Sequence, residues 1–285
     1  WQQNTSLFGG VLDVGGASNP VFYDFDGDGD LDLISGNQLG YVKFYRNTGT
    51  AYAPAWHEDN SYFANIHHSI YSAVTVGDVD ADDLPDVILG DLNGGLYFYH
   101  NTGTGLIEQS GVLPAVSVGG WSCPRLIDMD FDGDLDLVVG NEAGNLFYYQ
   151  NNGTPYSPLW ELVNGFFGAI DVGSDCVPTF ADVDEDDDLD MVTGNLFGEV
   201  QCFLRQRQLW VENTTLFSGI ATDQNAAPAL VDLDHDGDFD LVLGDYDGTF
   251  KFFRNLKYSG SVLNPPQNPI FIIDGEVTVT WEEPL

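Results

Sequence analysis

The stretch DFDGDGDLD, residues 24–32, places an aspartate at every second position. Five like charges within nine residues repel one another, so a compact fold needs a cation among them. The chain repeats this pattern as DVDADDLPD from Asp78, DMDFDGDLD from Asp128, DVDEDDDLD from Asp182 and DLDHDGDFD from Asp232. The offsets between successive copies are 54, 50, 54 and 50 residues. Repetition at a period near 50 residues predicts a radial or stacked repeat architecture.

Each repeat carries four strand signals in the same order. A tryptophan comes 22 or 23 residues before the first aspartate in four repeats, at Trp1, Trp56, Trp160 and Trp210. A proline comes four residues before it in four repeats, at Pro20, Pro124, Pro178 and Pro228. After the acidic loop follow an apolar run such as LISGNQLG and an aromatic run such as YVKFYRNTGT. No segment has a helical period, so we predict an all-β, five-bladed β-propeller of four-stranded blades.

The phase of the two ends predicts how the ring closes. The chain enters at a tryptophan strand and leaves the fifth repeat after its aromatic strand. The fifth blade therefore lacks one strand, and the first strand lacks a blade. We expect the N-terminal strand, within Trp1 to Phe8, to pair beside Thr249 to Arg254 and remove an exposed sheet edge. The alternative is a larger propeller truncated upstream.

The repeats predict a propeller domain over residues 1–257 and a different region after it. Residues 258–269 end in the proline-rich stretch NPPQNP and are predicted to be a linker. Residues 270–285 contain two alternating runs around an Asp-Gly turn and resemble the incomplete start of a fibronectin type III-like module, with Trp281 at the usual core position. Further domains of a longer polypeptide are expected. The start at Trp1 fits either a mature N-terminus or a piece of a longer protein.

The composition indicates a folded, strongly acidic protein. Hydrophobic residues make up 43% of the 285 residues, which is enough for a substantial core. The 45 acidic against 8 basic residues give a net charge of −37, which argues against nucleic acid as a partner and favours cations. No apolar run reaches the roughly 18 residues of a membrane helix, so no membrane insertion is expected. The three cysteines lack metal-type spacing, and a bridge between Cys123 and Cys176 is left open.

The acidic loops have the composition of hard-cation sites. Each reads D-x-D-x-D-x-x-x-D, with carboxylates at loop positions 1, 3, 5 and 9, and position 7 can add a backbone carbonyl. In a tight turn this spacing brings alternate side chains to one point, and calcium takes about six to eight oxygens. The candidate ligands are Asp24, Asp26, Asp28, Asp30 and Asp32; Asp78, Asp80, Asp82, Leu84 and Asp86; Asp128, Asp130, Asp132, Asp134 and Asp136; Asp182, Asp184, Asp186, Asp188 and Asp190; and Asp232, Asp234, Asp236, Asp238 and Asp240.

We therefore expect about five Ca²⁺ ions, one per repeat. Position 6 is glycine in three loops and Asp83 or Asp187 in the others, and both residue types accept the left-handed conformation of a sharp turn. Magnesium, which demands octahedral geometry, and a metal-free solvated turn are the alternatives. The five loops hold 27 of the 45 acidic residues, and five bound calcium ions would bring the formal charge from −37 to about −27 and contribute to folding.

The acidic loops, the GNxxG turns and the FYRNTGT strand resemble the FG-GAP or VCBS repeats of integrin alpha-subunit propellers and of many secreted microbial proteins. The likeness covers residues 1–257. It implies a calcium-bound propeller in an extracellular setting, secreted or at the cell surface. It does not fix an activity, because relatives include adhesion receptors, sugar-binding lectins and non-catalytic domains attached to enzymes.

The ligand site is predicted on the face opposite the acidic loops. Strand direction alternates, so the variable loops before each proline position share that face with the GNxxG turns. Trp121 lies outside the repeat phase on one such loop, and Tyr71 has the same place one blade earlier. These aromatics could grip a glycan or a peptide, or could plug the axial channel. His67 and His68 are adjacent in a matching loop and are candidate ligand contacts or polar loop residues.

The sequence favours a non-catalytic recognition module that binds a glycan or an extracellular protein. No GxSxG, HExxH or phosphate-binding glycine loop is present in the sequence, and the metal loops account for most of the paired acids. The alternatives are a carbohydrate-active enzyme such as a polysaccharide lyase and a purely structural spacer.

Overall fold

The computed structural model describes residues 1–4, 7–8, 12–50, 53–59, 61–114, 118–154 and 156–256, and two short strands at 272–273 and 277–278. Across these residues the chain forms strands and turns and no helix. None of the described segments is therefore a helix of membrane-spanning length.

Twenty strands form five antiparallel four-stranded blades. Blade 1 contains β2 (Asn19–Tyr23), β3 (Asp32–Gly36), β4 (Val42–Asn47) and β5 (Trp56–Glu58). Blade 2 contains β6 (Ala73–Gly77), β7 (Asp86–Gly90), β8 (Leu96–Asn101) and β9 (Leu106–Gln109). Blade 3 contains β10 (Ser122–Ile127), β11 (Asp136–Asn141), β12 (Leu146–Asn151) and β13 (Trp160–Leu162). Blade 4 contains β14 (Val177–Ala181), β15 (Asp190–Gly194), β16 (Val200–Gln206) and β17 (Leu209–Glu212). Blade 5 contains β18 (Ala227–Val231), β19 (Asp240–Gly244), β20 (Phe250–Arg254) and β1 (Gln2–Asn4).

The N-terminal strand closes the ring, as the phase of the repeats predicts. Strand β1 runs antiparallel to β20, with Gln2 opposite Arg254. The Trp1 indole donates a hydrogen bond to the carbonyl of Leu216 at 2.7 Å and stacks on Phe217 with ring centroids 4.9 Å apart. The first strand thus covers the outer edge of the last blade. The fold is a closed five-bladed propeller, and the alternative of a larger ring is wrong for this chain.

The apolar core is divided among the spaces between neighbouring blades. Between blades 1 and 2 lies a cluster that includes Phe44, Phe63 and Leu89, all buried. Four further blade pairs are packed in the same way, and the first strands of the blades surround the axis. Successive side chains of a strand point to opposite faces of its blade, so the aromatic residues of the third strand pack into the spaces on both sides of that blade.

One glycine per blade lets neighbouring blades approach closely. These glycines lie at the end of the second strand of each blade, as the last residue at Gly36, Gly90, Gly194 and Gly244 and as the last but one at Gly140. A Cβ atom on any of them would lie 2.0–2.4 Å from a backbone carbonyl oxygen of the next blade. The glycine of the GN turn is therefore a packing requirement of the ring.

Replacing one of these glycines should destabilise the propeller. In Gly140→Ala the new methyl group would meet the Cys176 carbonyl oxygen at 2.1 Å, and a backbone atom cannot rotate away. We expect a loss of about 3 kcal/mol in the free energy of unfolding, measured by urea denaturation. The control is Gly105→Ala, whose new Cβ has no atom within 4 Å, so that it reports only the cost of its positive φ of 158°. Equal stability of the two variants would contradict the assigned close approach.

The C-terminal region contributes one small strand pair. Strand β21 (Ile272–Ile273) pairs antiparallel with β22 (Val277–Thr278). This pairing agrees with the predicted hairpin. The Asp-Gly turn, the linker at 258–269 and Trp281 lie outside the described residues. The fibronectin type III-like module stays a prediction.

Candidate functional sites: five acidic loops and an axial pocket

The five acidic loops connect the first and second strands of the blades and share one backbone geometry. In loop 3 the carboxylate of Asp128 accepts the backbone N–H groups of Asp132 at 3.1 Å and Gly133 at 3.0 Å. The position 1 aspartates of the other four loops accept the same pair of N–H groups at 2.9–3.1 Å. The position 1 side chain therefore closes each loop even where the remaining sequence differs.

Two positions in every loop are left-handed. Position 6 has φ between 66° and 96°, including the non-glycine residues Asp83 and Asp187, as the sequence predicts. Position 4 is also left-handed, at Gly27, Ala81, Phe131, Glu185 and His235. A non-glycine residue in this conformation costs about 1–2 kcal/mol. The sequence reasoning missed position 4, because its residue types give no left-handed signal.

The position 9 aspartates are buried and hold the blade together. Asp136 accepts the backbone N–H of Asn151 at 2.7 Å, that of Met129 at 3.1 Å and the Tyr148 hydroxyl at 2.8 Å. The aspartates at the same place in the other loops each accept the N–H of the residue 15 positions later. Burial raises the pKa of Asp32, Asp86, Asp136 and Asp190 to about 6 and that of Asp240 to about 7.

The loops bring carboxylates together as a cation site requires. In loops 1, 3 and 4 the carboxylates of positions 1, 3 and 9 offer oxygens within 4.8 Å of one another: Asp24, Asp26 and Asp32; Asp128, Asp130 and Asp136; and Asp182, Asp184 and Asp190. Buried Asp80 Oδ1 and Asp240 Oδ2 have no hydrogen-bond partner among the described residues. Such oxygens, in a cluster of like charges, fit a hard divalent cation.

The loops differ in the side chain that reaches them from the third strand of the blade. Arg46 contacts Asp26 of loop 1, and Arg254 contacts Asp234 of loop 5. In loop 2, His100 Nδ1 lies 3.3 Å from Asp80 and 3.2 Å from Asp86. The neutral Gln150 donates to Asp130 of loop 3 at 2.5 Å. The fourth blade has Leu204 there, which packs in the core between blades 4 and 5.

The opposite face of the propeller carries a pocket of about 160 Å³ at the axis. One left-handed residue from each blade lines it: Ala17, Tyr71, Trp121, Asp175 and Asn225, with φ between 31° and 55°. A second set lies outside them, on the GNxxG turns, and includes Leu92, Glu142, Leu196 and Tyr246. The pocket is thus built from the same two positions of successive repeats, with side chains that differ from blade to blade.

A closed ring of backbone hydrogen bonds frames this pocket. Trp121 N–H donates to the Leu92 carbonyl at 2.8 Å, and Leu92 N–H donates to the Ile70 carbonyl at 3.0 Å. The equivalent two bonds recur in every blade at 2.8–3.1 Å, and the bond from Ala17 to Tyr246 joins the first blade to the last. Loops and turns therefore alternate around the axis without a break.

The structure brings Tyr71 and Trp121 together and places the two histidines elsewhere. The Trp121 indole donates a hydrogen bond to the Tyr71 carbonyl at 3.0 Å. The same ring packs on Ala73 and other apolar side chains at the axis and lines the pocket. Trp121 therefore covers the axial channel. His67 bonds the Leu39 carbonyl at 3.1 Å. His68 stacks on Tyr97 with ring centroids 3.4 Å apart. Neither histidine lines the pocket.

A buried cation lies below the pocket floor. Arg125 is only 7% exposed, and its guanidinium donates to the Val74 carbonyl at 3.0 Å and the Asn19 side-chain oxygen at 3.4 Å. Burial lowers the pKa of Arg125. Cys123 and Cys176 lie close by and are free, buried thiols, so no bridge joins them.

Comparisons with known proteins agree with this architecture. Residues 24–89 and 78–139 match the FG-GAP-like repeat family, and these stretches include the first three acidic loops. No curated protein matches the chain. The fold is similar to that of an arginine-to-alanine triple mutant of AofleA from Arthrobotrys oligospora, with a TM-score of 0.52 and 13% identity over 84% of this chain and 71% of that chain. At this identity the likeness shows the fold alone. The chain thus carries FG-GAP-like repeats on a five-bladed propeller, an arrangement that fits a recognition or structural module.

Proposed function

We propose that this protein is a calcium-binding recognition module that acts outside the cell and binds a glycan or an extracellular protein. The observation that carries the proposal is the regular set of acidic loops on one face, combined with an aromatic pocket of varied side chains on the other. The loops would serve as the scaffold, and the pocket would serve as the ligand site. Fixed scaffolds that present variable loop residues are a common arrangement in binding proteins.

Calcium is the cation that suits the loops best. The carboxylates of positions 1, 3, 5 and 9 and the carbonyl of position 7 would supply oxygens only, which favours calcium over softer metals. Bound calcium would offset part of the negative charge of the clustered aspartates. This chain's own residues prepare the site: the position 1 side chain closes the loop and the position 9 side chain anchors it to the next strands. Extracellular modules commonly bind calcium with dissociation constants of about 10⁻⁴–10⁻³ M.

The loops should not bind calcium equally. Arg46 already supplies a positive charge to Asp26, and calcium at loop 1 must compete with that charge, whereas Gln150 at loop 3 is neutral. The variant Arg46→Gln should strengthen calcium binding at loop 1 about tenfold, because it removes a like charge from the site. Isothermal calorimetry on chelator-stripped protein measures the change.

A matched control for this experiment is Lys43→Gln. Lys43 lies on the same strand and pairs with Glu58 rather than with the loop. It should leave the calcium isotherm unchanged. Weaker binding in Arg46→Gln, or an equal shift in both variants, would show that Arg46 supports the site rather than competing for it.

Binding to glycan and extracellular-protein arrays tests the recognition role. We expect saturable binding to at least one ligand class, and loss of that binding in Trp121→Ala and in Tyr71→Ala, whose side chains line the pocket. Phe197→Ala is the control, because Phe197 is an exposed aromatic on the same face outside the pocket. A blank on both arrays would favour a structural spacer, and release of new polysaccharide ends would favour an enzyme.

A further inference from the structure

The axial pocket is small, and its walls are held in place. Its volume of about 160 Å³ is below the roughly 300–1,000 Å³ of drug-sized ligand sites. The five inner residues are fixed by the backbone ring described above. The Tyr71 hydroxyl is fixed as well, because it accepts a hydrogen bond from Gln38 at 2.8 Å. Such a pocket suits one compact chemical group rather than an extended chain.

The charge around the pocket is negative. Asp175 and Glu142 both line it, and no lysine, arginine or histidine is among the described residues that do. Burial, and then the nearby charge of Glu142, raises the pKa of Asp175 to about 6. The two carboxylates therefore repel each other without a basic partner in the pocket. Arg125, the cation beneath the floor, is occupied by backbone carbonyls and Asn19 and does not line the pocket.

Aromatic rings complete the pocket. The Trp121 and Tyr71 side chains line the same space as the two carboxylates, and aromatic faces attract cations. Carboxylates and aromatic rings in one pocket define a place for a positively charged group.

We infer that the axial pocket binds a small ligand through a primary ammonium group, held by Asp175 and Glu142 against the Trp121 ring. This inference rests on the proposed function in that both use the axial pocket, and it names the ligand chemistry. A neutral sugar would leave the carboxylates uncompensated, and an anion would be repelled by them. A quaternary ammonium ion has no N–H to donate to the two carboxylates.

Calorimetric titration of the full chain, in the presence of calcium, with two amine probes tests the inference. Glucosamine carries the ammonium group on a sugar ring, and Nα-acetyl-lysine methylamide carries it on an alkyl chain. The probe that binds more tightly therefore indicates whether the ligand is an amino sugar or a lysine side chain. Glucose, glucuronate and the trimethylated lysine derivative are the neutral, anionic and donor-free comparisons. We expect at least one amine to bind about tenfold or more tightly than its comparison compounds.

Three variants localise the binding. Asp175→Asn keeps a residue that tolerates the left-handed conformation, and Glu142→Gln keeps the side-chain shape, so both should fold. Each should weaken amine binding about tenfold or more. Asp223→Asn is the control, because it removes one exposed charge from a loop on the same face outside the pocket. It should bind the amine like the wild type.

The outcomes separate this inference from the proposed function. Equal binding of glucosamine and glucose, no binding of either amine at concentrations on the order of 10 mM, or full binding by Asp175→Asn would overturn the inference. If an array ligand no longer binds Trp121→Ala but is not displaced from the wild type by either amine, the recognition role would be supported and the ammonium site would be contradicted. Amine binding together with blank arrays would support the ammonium site and count against recognition of a glycan or an extracellular protein.

Discussion

Chelator-stripped protein should melt about 20 °C below the calcium-saturated protein. A cation at a concentration of one hundred times its dissociation constant stabilises the folded state by about 2.7 kcal/mol per site. Occupation of loops 1, 3 and 4 alone, whose carboxylates of positions 1, 3 and 9 converge, would thus contribute about 8 kcal/mol. Each kcal/mol shifts the melting temperature of a domain of this size by about 2–4 °C. The position 9 carboxylates add to the effect, because burial disfavours their charged form when no cation is present.

Differential scanning calorimetry of stripped, calcium-loaded and magnesium-loaded protein measures this effect. Magnesium at the same concentration should restore much less stability, because it gives up its water reluctantly. Asp132→Asn is the site control: Asp132 is exposed and its side chain accepts the N–H of Asp134 in its own loop. It should weaken calcium binding at loop 3, because the Asn side chain offers one oxygen but no charge. An unchanged melting temperature after stripping would mean that the acidic loops are not structural metal sites.

Asp136→Ala should lose stability even in the stripped protein. The substitution removes the acceptor of three hydrogen bonds, from Asn151, Met129 and Tyr148, and leaves buried donors unsatisfied. We expect a loss of about 3 kcal/mol in the free energy of unfolding without calcium, and a larger loss with calcium. Urea denaturation under both conditions measures it.

The comparison variant for this experiment is Asp132→Ala in the same loop. Its side chain lies at the surface, so it should match the wild type without calcium and fall behind only with calcium. If Asp136→Ala also matches the wild type without calcium, the position 9 carboxylate acts only as a metal ligand and not as a structural anchor.

Ring closure could be predicted from the sequence because it depends on repeat phase. The first strand and the incomplete fifth repeat complement each other, and the pairing of Gln2 with Arg254 follows. The contact between the third strand and the loops was missed. Arg46 lies 20 residues after Asp26, and Gln150 lies 20 residues after Asp130, so a constant spacing was present in the chain. Residue types at that position vary too much for composition to reveal it.

The axial pocket could be predicted only in part. The out-of-phase Trp121 and Tyr71 identify the face, and the structure brings them together at the axis. Asp175 and Glu142 come from a loop and a turn 33 residues apart in sequence, and they meet because each loop packs on the turn of the preceding blade. His67 and His68 share the same loop region but point to Tyr41 and Tyr97 instead. Their direction depends on local packing that a repeat alignment does not contain.

The backbone ring around the pocket has a consequence for how recognition can change. Its hydrogen bonds use only N–H and C=O groups, so no side chain is needed to maintain the frame. One residue of each blade occupies the same position of the repeat with the same left-handed backbone: Ala17, Tyr71, Trp121, Asp175 and Asn225. A substitution there alters the chemistry of the pocket at the cost of the new residue's tolerance for that conformation and, for Trp121, of its packing at the axis. Under the proposed function, ligand preference can therefore diverge among proteins of this architecture, or be redirected in a library at five positions, while the propeller itself stays the same.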